Sequence, residues 1–203
     1  MDSGEISIIV IVAGLLAIFV VIGIFNRRAH QNAWSDLAVQ AGLAFEPGSF
    51  WGKSPLVSGV YHNRSLALDT FSTQSGDSRT VYTRLALAVD NPAGLNMALS
   101  GEGLGSKLEK LVGKKDILVG DEEFDRRFFI RGTPEIAIQR LLANSSLRQK
   151  LLETRSVNIE VKDRTVRYTK QGFESNPDTL LALFDLMNEL GVNVDRLDPA
   201  KIN

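Results

Sequence analysis

The chain has 203 residues, 23 Lys and Arg against 24 Asp and Glu for a net charge of −1, no cysteine and two histidines. The lack of cysteine excludes disulfides, thiolate metal sites and thiol nucleophiles. The balanced charge leaves no basic footprint for nucleic acid, so no nucleic-acid partner is expected. His30 and His62 fall in elements with no reason to meet, which argues against a histidine metal site or a Ser-His-Asp triad.

Residues 1–5 form a short acidic tail. Ile6 to Phe25 follows, a run of twenty residues without a charge and with Ser7 as its only hydroxyl. At about 1.5 Å per residue it matches the roughly 30 Å hydrocarbon core of a bilayer, so a transmembrane helix is expected at 6–25. A cleavable signal would need a basic start, a shorter apolar run and a small-residue cleavage site, and none is present. Arg27 and Arg28 flank the C-terminal side while the N-terminal flank carries no Lys or Arg. That asymmetry places the N-terminus outside and the C-terminal domain in the cytoplasm, a single-pass membrane protein with the lipid bilayer as its first partner. Ala13, Gly14 and Ala17 make a small-residue pattern that would suit a helix–helix contact and a homo-oligomer, but small residues are common in membrane helices and a plain lipid-facing anchor is the simpler reading.

Helical spacing continues over residues 26–42, with Trp34, Leu37, Ala38 and Ala41 on one stripe and Gly42 as the stop. This juxtamembrane helix is expected to pack on the soluble domain that follows, residues 43–194. Strand patterns then dominate: Leu56 to Tyr61 and Arg64 to Phe71 flank the turn His62-Asn63, and Arg79 to Val89 follows a polar loop at Ser72 to Ser78. With Leu95 to Leu99 these make an antiparallel meander. Ser106 to Val112 reads as a short helix, Asp116 to Val119 as a strand or extended segment, and Phe124 to Arg131 as a strand. Thr133-Pro134-Glu135 reads as a helix start with Thr as the cap and Pro first in the helix. A short helix at Leu147 to Leu152 precedes a hairpin, Val157 to Val161 and Thr165 to Thr169. Asn176-Pro177-Asp178 opens a last amphipathic helix that Gly191 should end, leaving 195–203 as a loose polar tail. The fold class expected is α+β, with one N-terminal transmembrane helix followed by an antiparallel sheet packed with helices on one side.

Chemistry is sparse. Gly101 to Lys107 lies where a phosphate cradle would sit, but its spacing fits neither the P-loop nor the dinucleotide fingerprint. Asp121, Glu122, Glu123 and Asp125, followed by Arg126 and Arg127, lack calcium-loop spacing and read as a charge network or a partner contact. No catalytic residue, metal or cofactor is assigned. The segment Gly120-Asp121-Glu122-Glu123-Phe124-Asp125-Arg126-Arg127-Phe128, with Leu141-Leu142 and Leu147 to Leu152 after it, resembles a bacterial group of single-pass membrane-anchored domains of unknown function. The resemblance implies a bacterial inner-membrane setting and no particular activity. The expected function is a membrane-anchored cytoplasmic binding or assembly module that meets a protein partner. The alternatives are a membrane-proximal hydrolase using the Asp121 to Asp125 carboxylates, or a lipid-headgroup binder.

Overall fold

The computed structural model describes residues 31–49, 52–101 and 117–201. The described chain is α+β: one sheet of eight strands, every neighbouring pair antiparallel, with helices packed on it. This corrects the expected fold class. Among the described residues no helix is long and apolar enough to cross a membrane, and the stretch 6–25, with Ala13, Gly14 and Ala17, lies outside them.

Helix α1 occupies 31–41 and buries Trp34, Leu37 and Ala38, one stripe at helical spacing. Gly42 adopts a φ of 66° and ends it, and the Leu43 N–H returns to the Ala38 carbonyl. Strands β1 (Ala44–Glu46), β2 (Leu56–Tyr61), β3 (Arg64–Ser75) and β4 (Ser78–Ala88) form the meander. His62 and Asn63 both take positive φ, so the β2–β3 turn has the twist of a tight hairpin without a glycine. The expected loop at Ser72 to Ser78 is instead the end of a long hairpin closed at Gly76-Asp77. Its exposed Ser, Thr and Gln satisfy their backbones across the two strands, although their polarity resembles that of a loop.

Strand β5 (Asn96–Gly101) leads into the residues not described, which hold the expected helix at Ser106 to Val112. Ile117 to Val119 form no strand, but the Ile117 N–H donates to the Ile130 carbonyl. The strand expected at Phe124 to Arg131 is half helix: α2 (Glu122–Arg127) turns directly into β6 (Phe128–Thr133). Asp121 caps α2, and Phe124 and Phe128 are both buried with ring centroids 4.7 Å apart. Helix α3 (Glu135–Leu142) has Pro134 at the cap position with no side-chain bond, since Thr133 belongs to β6. Helix α4 (Ser145–Glu153) is capped by Asn144, and β7 (Asn158–Lys162) and β8 (Thr165–Gln171) form the second hairpin.

Helix α5 (Pro177–Asp195) starts at an Asn176 cap with Pro177 in its first turn. It does not stop at Gly191. A Cβ there would stand 3.0 Å from Leu87 and 3.1 Å from Val89, so the glycine lets the helix lie close on the sheet. Nor is the chain loose at Asp195, whose carboxylate accepts from the Asp90 and Asn91 N–H groups, at 2.7 and 3.1 Å, and pairs with Arg64.

Strand order is β1-β2-β3-β4-β8-β7-β5-β6. The registers put Val57, Leu68, Leu85, Tyr168, Ile159, Leu99 and Ile130 in one unbroken buried row across seven strands. Leu66, Leu87, Val166, Val161 and Met97 form the next row, which ends at Gly132, where a Cβ would come within 2.0 Å of the Asn96 carbonyl oxygen. The buried side chains of the helices join these rows in one core, so the helices cover that face. Residues one step along each strand point the other way, to a face with no helical cover among the described residues.

Candidate functional site

The acidic segment does not gather into a pocket. The Asp121 carboxylate accepts from the Phe124 N–H at 3.2 Å and from Arg148 Nε at 3.0 Å. These bonds, the backbone one first, hold it below the ordinary carboxylate range. Asp125 accepts from the Val119 and Gly120 N–H groups, both at 2.9 Å, rather than pairing with a nearby arginine. Glu122, Glu123 and Arg126 are exposed, and Arg127 donates to the Thr154 carbonyl and lies over the Phe128 ring. Asp121 and Asp125 thus shape α2 and the loop before it. Among the described residues no three of His, Asp and Glu gather to hold a metal. His62 stands edge-on to Tyr61 in its turn, while His30 and residues 102–107 lie outside the described chain.

A cleft of about 580 Å³ opens between α4, α5 and β8. Its floor is Tyr168, 2% exposed, and its apolar wall includes Leu183 and Leu186. Each carboxylate in it already has a donor. Glu174 pairs with Lys170 and takes the Asn176 N–H at 2.9 Å, Asp185 takes the Tyr61 hydroxyl at 2.6 Å, and Glu153 takes the Gln149 amide at 3.1 Å. Lys150 pairs with Glu189. Two donors facing the cleft, the Arg155 guanidinium and the Tyr168 hydroxyl, have no hydrogen-bond or ion-pair partner among the described residues. Burial, then the nearby Glu174 charge, pushes the Tyr168 phenol up to about 12, so it stays a proton donor. The Glu174 backbone carbonyl takes the Trp34 indole N–H at 2.8 Å, which ties α1 to this corner. The cleft joins residues 150 to 186, and one local sign of it was available. Val166, Tyr168 and Lys170 share the core-facing side of β8, and polar tips interrupt that apolar alternation.

The uncovered sheet face is amphipathic. Ala67, Ala86, Arg167, Glu160, Ala98 and Arg131 form one row across it, with Asp69, Arg84 and Thr169 in the next. Arg84 grips Asp69 through two bonds, one of 2.8 Å, and lies 5.3 Å above the Phe71 ring, which stacks on Tyr82 at 5.2 Å. Arg167 pairs with Glu160 at 3.0 Å, and Arg131 lies over Phe129. Arg131 and Lys162, at one end of the face, have no ion-pair partner among the described residues.

The site thus belongs to an α+β domain whose sheet, among the described residues, has one face clad by helices, one without helical cover and a cleft at the helical layer. Comparison of the chain with known protein-family models, with curated proteins and with solved structures finds no match.

Proposed function

We propose that this chain is a binding or assembly module that meets a protein partner through the uncovered face of its sheet. The observation that carries the reading is the clamped aromatic and arginine surface formed by Phe71, Tyr82, Arg84 and Asp69. Aromatic and arginine side chains held rigid before binding lose little entropy on contact, and they dominate interface energetics. Area favours it as well. Eight strands at about 4.8 Å spacing and roughly 20 Å of strand length present about 770 Å², near the ~800 Å² each partner contributes to a standard complex. The partner surface that fits carries carboxylates opposite Arg131 and Lys162 and a flat apolar patch opposite Phe71 and Tyr82. The proposal places this contact at the cytoplasmic side of a membrane, on the strength of the uncharged run 6–25 and of Arg27 and Arg28.

Photo-crosslinkers at Ala86 and Ala98, on the uncovered face, and at Gln139, exposed on α3, test the reading in cells. Adducts with a defined protein from the two alanine positions, lost on Arg84→Gln, are expected. A double-mass adduct would identify the partner as a second copy. Adducts from Gln139 alone, or none from any position, would sink the proposal.

A further inference from the structure

The cleft between α4, α5 and β8 is separate from the sheet face and carries an inference of its own. Each of its carboxylates has a donor, from Lys170, Tyr61, Gln149 or a backbone N–H, while Arg155 and the Tyr168 hydroxyl donate to none of them. Tyr168 is almost wholly buried, and its hydroxyl, which has no partner among the described residues, opens onto the cleft, where an acceptor can take its proton. Arg155 stands exposed at the same cleft without an ion pair. A volume of about 580 Å³ lies within the range of small-molecule sites, and Leu183 and Leu186 supply an apolar wall.

We infer that this cleft binds a small organic acid, with its carboxylate on the Arg155 guanidinium, a second acceptor oxygen over the Tyr168 hydroxyl and its apolar part against Leu183 and Leu186. The Arg155 guanidinium and the Tyr168 hydroxyl together suit a ligand with two acceptor groups. The most enclosed carboxylate of the cleft, Glu174, is paired with Lys170 and so is closed to a cationic ligand. Arginine matches a carboxylate with two parallel N–H bonds, which a lysine at the same place would not. A neutral second acceptor, a ketone or amide carbonyl, suits the Tyr168 hydroxyl, since the Glu174 carboxylate nearby disfavours a second negative charge there. N-acyl amino acids and keto acids have this chemistry.

N-acetyl-L-phenylalanine carries all three features and serves as the probe, with decanoate, which lacks the second acceptor, as its comparison. In calorimetric titrations of the full chain, saturable binding of N-acetyl-L-phenylalanine is expected. Arg155→Gln should weaken it by about tenfold or more, as loss of a charged hydrogen bond implies. Tyr168→Phe keeps the ring that fills the floor and should weaken the probe by about threefold to tenfold while leaving decanoate unchanged. Arg126→Gln, an exposed arginine on α2, should bind as the parent does. Arg155 is exposed, so its variant reports on binding even if Tyr168→Phe lowers stability. Absence of saturable binding of either acid, or equal affinities in the parent, Arg155→Gln and Tyr168→Phe, would overturn the inference. Neither outcome bears on crosslinking from Ala86 and Ala98, so the two proposals fail separately.

Discussion

The two faces of the sheet are one residue apart along every strand and differ in almost everything else. Leu99 lies in a seven-strand apolar row beneath the helices, while its neighbour Ala98 lies between Glu160 and Arg131 on the bare side. Strand pleating therefore assigns alternate residues to two tasks. The covered face holds the fold through burial, and the bare face carries arginine, aromatic and paired carboxylate groups that the fold does not need. The half-exposed ion pairs there, Arg84–Asp69 and Arg167–Glu160, contribute at most about 1 kcal/mol each, less than one buried leucine.

The sharpest contrast is a pair of neighbouring substitutions. Leu99→Ala removes most of a side chain that is 1% exposed in that row, between Ile159 and Ile130, and should cost about 2–5 kcal/mol. Ala98→Ser should stay within about 0.5 kcal/mol. Denaturant midpoints of the two variants measure the difference, and similar values would mean that the bare face is packed against something and that the comparison is wrong.

A smaller effect probes the charge enclosed on the covered side. Burial pushes the Glu174 carboxyl up, but the Lys170 ammonium and the Asn176 and Ser175 N–H groups more than offset this, so it titrates below its ordinary 4.5. A lowered value in the folded state means that the carboxylate stabilises the protein at neutral pH. That contribution is lost as pH falls through the folded-state value. Glu174→Gln should cost about 1–3 kcal/mol at pH 7 by removing charged hydrogen bonds, and melting curves of parent and variant should converge below pH 4.5. A gap that persists undiminished at pH 3 would mean that Glu174 acts through shape rather than charge.

The contrast between faces also separates what was legible in the sequence from what was not. Alternation reads directly where one face is apolar, so β2, β3, β4 and the β7–β8 hairpin could be located, and Asn176-Pro177 marked the start of α5 by local capping chemistry alone. Where neither face is buried, as in the tip of the β3–β4 hairpin, a strand and a loop have the same composition. Phe124 to Arg131 was ambiguous because its aromatics suit either period, and the Asp121 cap decided for a helical turn. Gly191 and Asp195 were misread because their reasons lie far along the chain, in Leu87, Val89, Arg64 and the turn at Asp90. The cleft was hidden in the same way, since Arg155, Tyr168 and Glu174 meet only once α4, β8 and α5 are assembled.

The smallest effect on stability should accompany the largest effect on recognition. Arg84→Gln loses the two-bond grip on Asp69 and the guanidinium over Phe71, yet both side chains remain partly in solvent. The loss to stability should be below about 1 kcal/mol, and smaller still at high salt. If the bare face meets a partner, however, a clamped arginine beside two stacked rings lies where truncation costs about 2 kcal/mol or more of binding, some thirtyfold in affinity. Melting temperature and partner capture measured on the same variant separate the two roles. A variant that keeps its melting temperature and loses its partner places recognition on the bare face. One that keeps both makes Arg84 an ordinary surface residue and leaves the two faces differing in composition alone.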